Sequence, residues 1–148
     1  MMSATTTTVD RLTHTISFLR QFDAPPDAVF DAWTNPHKIA AWWDPTGAPL
    51  AACDVDLRPG GAFQFTMSSG HAPPFAGVYR TIDRPAELVF DALGAVGVVR
   101  LVEDQGGTRM TVDIRCTSSA HLEQFLALGI HTGTDVTLDN LVAFIRTH

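Results

Sequence analysis

The C-terminal part of the chain, about residues 118–147, carries the pattern that most constrains the fold. Its apolar and small residues recur at steps of three and four, the spacing of one face of an α-helix. Ser118 or Ser119 can accept a hydrogen bond at the helix N-terminus. Roughly 28 residues at 1.5 Å per residue predict a single helix of about 40 Å. Such a helix is long enough to cross a whole sheet.

Short segments with the period-two alternation of β-strands precede that helix. The predicted strands cover residues 13–22, 52–57, 63–67, 75–82, 87–91, 96–103 and 108–116. Two short helices are expected after the first strand, at about 26–33 and 36–43, because each begins at a proline that suits an early helical position. The turns between the later strands are short and suit antiparallel neighbours.

This order of elements predicts an α+β fold. We expect a curved antiparallel sheet of about six or seven strands wrapped around the long C-terminal helix, which leaves a cavity between helix and sheet. A length of 148 residues is enough for one self-sufficient core. The Thr-rich residues 1–12 are predicted to be a flexible tail, and residues 13–148 to form a single domain.

Composition and charge exclude several classes of function. The chain has ten Lys and Arg against sixteen Asp and Glu, a net charge of -6, and its basic residues are scattered singly, so no nucleic-acid partner is expected. No apolar run approaches the roughly 20 residues of a membrane span, and the N-terminus lacks the pattern of a signal peptide. Cys53 and Cys116 provide neither a disulfide framework nor metal spacing. We expect a reduced, cytoplasmic protein without membrane insertion, metal or cofactor.

An ordered set of motifs carries a resemblance to a known family. The motifs are FDAPPDAVFDAW at 22–33, NP at 35–36, WW at 42–43, DLRPGG at 56–61, GVY at 77–79 and GTRMT at 107–111. Together they resemble the START-like (SRPBCC) superfamily, and within it the branch similar to the C-terminal domain of the heat-shock-protein-90 ATPase activator. The resemblance spans about residue 13 to the C-terminus.

That resemblance implies a helix-grip fold with a hydrophobic cavity between the long helix and the sheet. Relatives in the superfamily bind lipids, hormones or polyketides, and a minority catalyse cyclisation or dehydration. The resemblance also makes a homodimer plausible. One departure concerns the closing helix, which often has Gly-Trp where this chain has Gly133-Thr134. Any contact that the tryptophan of this Gly-Trp pair makes in relatives is absent here.

Seven residues are the candidates for lining the cavity: Trp42, Trp43, Phe63, Phe65, Tyr79, Gly129 and Gly133. Adjacent indoles at 42 and 43 can place one ring in the core and the other at the cavity mouth, or both can cover the open end of the sheet. Gly129 and Gly133 lie four apart on one face of the predicted helix and leave a bare strip. The strip could hold a ligand, aromatic side chains of the sheet, or a second subunit.

Polar residues are the weaker candidates for the cavity: Tyr79, His71, Arg100, His121 and His131. Two of the histidines, ten residues apart on the predicted helix, are separated by about 15 Å and cannot bind one metal ion. The sequence has neither a Gly-x-Ser-x-Gly motif nor a phosphate-binding loop, so no catalytic residue is assigned.

These observations favour a non-enzymatic protein that binds a small apolar or amphipathic molecule. An alternative is an enzyme of the cyclase or dehydratase kind, in which Tyr79 or His71 transfers a proton within the same cavity. A second alternative, a co-chaperone-like module that binds a protein, is suggested only by the branch name. The nine phenylalanines and three tryptophans leave open whether the cavity is filled by aromatic side chains.

Overall fold

The described part of the chain forms one antiparallel sheet and four helices. The computed structural model describes residues 5–70 and 73–147. Its elements, in chain order, are β1 (Thr6–Asp10), β2 (Thr15–Phe22), α1 (Pro26–Thr34), α2 (Pro36–Trp42), β3 (Ala52–Val55), β4 (Ala62–Thr66), β5 (Phe75–Asp83), β6 (Glu87–Ala92), β7 (Ala95–Asp104), β8 (Gly107–Arg115), α3 (Ser119–Ala127) and α4 (Ile130–Thr147).

The sheet has the strand order β1-β2-β8-β7-β6-β5-β4-β3, and every neighbouring pair is antiparallel. It is curved and open, and a long C-terminal helix lies at the end of the chain. The predicted α+β, helix-grip architecture is therefore confirmed, with eight strands where six or seven were expected. The predicted short helices are confirmed as α1 and α2, each with a proline at its first position.

The eighth strand is β1, in a region that was expected to be a flexible tail. It pairs with β2 from Thr6 opposite Leu19 to Asp10 opposite Thr15. That expectation was wrong for residues 6–10, because β-branched threonines suit a strand when a neighbouring strand is present. Residues 1–4 of the predicted tail lie outside the described residues.

Polar contacts join β1 and β2 to α4. The Thr7 hydroxyl donates to Asp135 Oδ1 at 2.5 Å. Arg20 is only 5% exposed, on the inner face of β2, and its guanidinium donates to Asp139 Oδ1 and to Thr5 Oγ1. A charge this deeply buried requires such partners, so the ion pair fixes α4 over the first two strands.

The predicted single helix over 118–147 is two helices. The hydroxyl of Ser118 caps α3, accepting a hydrogen bond from the His121 N–H at 3.1 Å. After α3 the chain turns at Gly129, which has a φ of +74°, a conformation that glycine adopts without steric cost. The following helix, α4, has 18 residues and is about 27 Å long rather than 40 Å.

The core lies between the inner face of the sheet and the helices α1, α2 and α4. Its largest fully buried side chains come from both layers and include Phe18, Phe30, Trp42, Met110 and Leu138. Two side chains of α4 also reach the residues that follow α2. Thr137 donates to the carbonyl of Trp43 at 3.2 Å, and Asn140 donates to that of Asp44 at 3.0 Å.

Candidate functional site

Aromatic side chains fill one end of the space between sheet and helices. Neighbouring ring centroids in this aromatic cluster are 4.9 to 5.9 Å apart. Its members are Trp33, Trp42, Trp43, Phe63, Phe65, Phe75, Tyr79 and Phe90. The cluster encloses only about 20 Å³ of free space, which is room for about one water molecule. This end of the fold is therefore closed.

The other end contains a cavity of about 270 Å³. It lies between α3 and α4 on one side and strands β6, β7 and β8 on the other. Small residues face each other across it, Ala92, Ala95 and Gly97 from the sheet and Gly129 and Gly133 from the helical side. These small residues leave space between the two layers, and large aromatic side chains border that space elsewhere.

Four rings line both the closed end and the cavity: Trp33, Trp43, Phe75 and Phe90. Of these, Phe90 has a position that depends on a glycine. The ring packs directly over Gly97 of the neighbouring strand, its cross-strand partner. A β-carbon at position 97 would lie 2.4 Å from Phe90 Cζ, closer than any side chain tolerates. The absence of a side chain at Gly97 thus determines where the Phe90 ring can lie.

The cavity lining is almost entirely apolar. Within the described part of the chain it contains no charged side chain, and the only aliphatic polar side chains on it are Thr134 and Thr137. The hydroxyl of Thr134 donates to the Ile130 carbonyl at 2.8 Å, and that of Thr137 donates to the Trp43 carbonyl. Both hydroxyl protons are engaged within the protein, so the two oxygen atoms remain as hydrogen-bond acceptors.

The cavity reaches the surface near the turn between β6 and β7. Leu93 lines the cavity and is 56% exposed, with a φ of +55°. His121 of α3 holds this turn, because its Nε2 lies 3.2 Å from the Leu93 carbonyl while its Nδ1 accepts from the Thr117 N–H. Its ring also packs edge-on against Phe125, another lining residue, at 4.5 Å. His121 therefore joins both sides of the cavity opening.

The family model for "Activator of Hsp90 ATPase homolog 1-like protein" matches residues 23–146, most of the chain. The chain belongs to this family. The predicted START-like (SRPBCC) resemblance is thereby confirmed. No functionally curated protein matches the chain.

Solved structures similar to this Hsp90-activator-homolog-like chain share its fold. Protein Ms6760 from Mycobacterium smegmatis is 24% identical, with a TM-score of 0.84 over 97% of this chain and 99% of that one. An AHSA1-like protein from Aeromonas hydrophila is 25% identical, with a TM-score of 0.74 over 90% and 92%. CalU16 from Micromonospora echinospora is 23% identical, with a TM-score of 0.67 over 98% and 87%. These similarities extend over nearly the whole of each chain.

In this family member, three of the seven predicted site residues line the 270 Å³ cavity: Trp43, Gly129 and Gly133. The other four belong to the aromatic cluster: Trp42, Phe63, Phe65 and Tyr79. Trp42 is buried and its indole N–H donates to the Ala32 carbonyl at 2.9 Å, whereas the neighbouring indole of Trp43 reaches the cavity. The roles of these residues in binding remain predictions.

None of the polar candidates within the described residues is part of the cavity lining. Arg100 points away from the cavity, is exposed and pairs with Glu87 at 3.0 Å. Burial raises the pKa of Tyr79 well above its usual range, with a smaller contribution from Cys53, and Tyr79 is not part of the cavity lining. His131 is half-buried on α4 and does not line the cavity, and His71 lies outside the described residues.

The described ranges 5–70 and 73–147 contain neither a metal-binding group nor a membrane-spanning helix. No group of three or more His, Cys, Asp or Glu side chains there could hold a metal ion. None of the helices in those ranges combines the length and hydropathy that crossing a membrane requires.

Several lining residues were not predicted as site residues, and some of them had a signal in the sequence. Gly97 interrupts an apolar strand, a position where another group often approaches the backbone closely. Val112 and Ile114 belong to the alternating apolar residues of β8. That alternation predicts that they face the interior, but it does not predict whether other side chains fill the space in front of them. Thr134 and Thr137 gave no signal, since threonine is common on both faces of helices and strands.

Proposed function

We propose that this protein binds a small, largely apolar molecule in the cavity between α3–α4 and strands β6–β8, without catalysing its conversion. The observation that carries the proposal is the 270 Å³ apolar cavity that opens to the surface beside Leu93. Apolar cavities of this kind stay dry and take up apolar ligands. An engineered cavity of about 150 Å³ binds benzene.

The chemistry of the lining supports binding rather than catalysis. General acid–base catalysis needs a group that exchanges a proton near the operating pH within reach of the ligand. The described lining has no carboxylate, histidine, lysine or cysteine. Tyr79, the candidate of the cyclase or dehydratase alternative, is buried in the aromatic cluster and holds its proton because burial raises its pKa. The co-chaperone alternative rests on the family description alone.

Gly133 provides the sharpest test of the site. A β-carbon added there meets no atom within 4 Å, so Gly133→Ala fits and serves as the matched control, while Gly133→Leu places a larger side chain in the cavity. We expect naphthalene to raise the thermal unfolding midpoint of the wild type and of Gly133→Ala saturably, because a ligand that binds only the folded state stabilises it. The shift should be lost in Gly133→Leu. An equal shift in Gly133→Leu would place binding elsewhere, and no shift in the wild type would contradict the proposal.

A cytoplasmic location and a homodimer are also part of the proposal. Cys53 and Cys116 are both free thiols, which is consistent with a reducing compartment. The homodimer is supported by the family resemblance, and light scattering should then give twice the monomer mass of 16.0 kDa. A mass of one monomer at micromolar concentration would contradict the homodimer without affecting the ligand site.

A further inference from the structure

We propose that the cavity selects an uncharged aromatic molecule of about two fused rings that carries one hydroxyl group, and that it rejects a carboxylate of the same size. This inference rests on the proposed function, since it concerns the same cavity. Three properties of the lining carry it: its volume, its lack of charge, and the hydrogen-bonding capacity that its two threonines have left.

Volume sets the size of the ligand. Because a cavity of about 150 Å³ accommodates one benzene ring, a cavity of about 270 Å³ is suited to a molecule roughly twice as large. Flat walls favour rings over flexible chains. The indole rings of Trp33 and Trp43 and the phenyl rings of Phe75, Phe90 and Phe125 all lie on the lining, and aromatic pairs gain more than their buried area alone provides.

Charge excludes acids. The described lining residues include no lysine, arginine or histidine that could pair with a carboxylate, and the chain has a net charge of -6. An ionised carboxylate moved into apolar surroundings without a partner loses its hydration and gains nothing in return. The indole N–H groups on the lining are uncharged, and that of Trp33 donates to Met110 Sδ at 3.3 Å. They do not replace a cation.

The threonines favour a ligand that donates a hydrogen bond. Thr134 and Thr137 lie three residues apart on the same face of α4, and each donates its hydroxyl proton to a backbone carbonyl. Both threonines line the cavity, and each hydroxyl oxygen keeps acceptor capacity after its proton is donated. A phenol-like hydroxyl can donate to such an oxygen, whereas a carboxylate, which only accepts, cannot. The same feature therefore favours the alcohol and disfavours the acid.

Three probes with the same two-ring skeleton separate these effects: naphthalene, 2-naphthol and 2-naphthoate. Isothermal titration of the full chain at pH 7 should show that 2-naphthol binds roughly 3- to 10-fold more tightly than naphthalene, the range expected for one net hydrogen bond. It should also show that 2-naphthoate binds at least about 10-fold more weakly than naphthalene, because its charge is buried unpaired.

Thr134→Val removes the hydroxyl at nearly constant shape, and Thr134→Ser, which keeps a hydroxyl, is the matched control. We expect Thr134→Val to lower the preference for 2-naphthol over naphthalene, because one of the two threonine acceptors is lost, while naphthalene affinity stays unchanged. Thr134→Ser should retain the full preference. Unfolding midpoints of both variants report whether they fold, and the comparison of the three probes on the wild type needs neither variant.

The outcomes separate this inference from the proposed function. If naphthalene binds and 2-naphthoate binds as tightly, the inference is wrong and the cavity proposal stands. If naphthalene binds but 2-naphthol gains nothing over it, the hydroxyl preference is wrong. Failure of naphthalene and 2-naphthol alike to bind the wild type overturns both proposals.

Discussion

At the scale of single residues, one missing side chain determines where a ring of the cavity lining lies. The Phe90 ring occupies the space above Gly97, where a β-carbon would lie 2.4 Å from the ring. The ring lines both the closed aromatic end and the open cavity. Its position therefore depends on a neighbour that contributes no side chain of its own.

Gly97→Ala should accordingly destabilise the protein. A methyl group forced into this contact must displace the Phe90 ring or the strand, and overpacking of a well-packed core costs about 1–3 kcal/mol. Urea unfolding would measure the change. Gly133→Ala is the control at an open helical position and should stabilise by about 0.5–1 kcal/mol, the usual gain over glycine. A Gly97→Ala variant as stable as the wild type would show that Phe90 moves at no cost.

Residue patterns left the tryptophan pair undecided. Adjacent indoles allowed one ring in the core and one at the cavity mouth, or both over the open end of the sheet; in the structure Trp42 is buried and Trp43 lines the cavity. Alternation in β4 correctly put Phe63 and Phe65 on the inner face but could not tell that other rings would fill the space beside them. Filling depends on the summed volume of side chains from distant strands, which no local pattern contains.

At the scale of elements, the break between α3 and α4 determines the helical side of the cavity. The apolar and small residues keep helical spacing across Gly129, so the sequence predicts one uninterrupted helix. The break is a positive φ at that residue, a backbone conformation that the spacing of side chains does not reveal. β1 was missed because its Thr-rich sequence lacks the alternation of apolar and polar residues, although its partner β2 is the next strand in the chain.

Gly129→Ala tests this break. A residue with a β-carbon costs about 1–2 kcal/mol in the left-handed conformation, so we expect a loss of that size in the free energy of unfolding. Asparagine tolerates the conformation better, and Gly129→Asn should lose less. Circular dichroism should show no gain in helix for either variant. A more stable and more helical Gly129→Ala would indicate that a continuous helix fits the sheet equally well.

At the scale of the whole molecule, burial of two thiols and one phenol links stability to alkaline pH. Burial, with a smaller contribution from Asp54, raises the pKa of Cys53 from 9.0 to about 11, and burial also raises the pKa of Tyr79 and that of Cys116. Above about pH 9 the unfolded chain therefore releases protons that the folded protein retains. The stabilisation is fully present below that pH and is lost as the pH rises toward 11.

We expect the urea midpoint to be constant between pH 7 and 8.5 and to fall between pH 9 and 10.5, in the range set by the pKa of Cys53. Cys53→Ala removes one of the three groups, so its midpoint should fall less over the same interval. Alkylation of Cys53 by iodoacetamide should be slow at neutral pH because little thiolate is present. If the urea midpoint of Cys53→Ala falls by as much as that of the wild type, Cys53 does not contribute to the loss of stability at alkaline pH.

The pairing of β2 with β8 has a consequence for the growing chain. Thr15 lies opposite Arg115, and Phe22 opposite Thr108, so the second strand is joined to the last one. At roughly 5–20 residues per second, a ribosome needs on the order of ten seconds to supply the partner of a strand that has already been made. During that interval the β1–β2 hairpin has no sheet to join, and an isolated hairpin is at best marginally stable. The apolar residues of β2 therefore stay without their sheet partner until β8 has been made, and the eight-stranded sheet is complete only then.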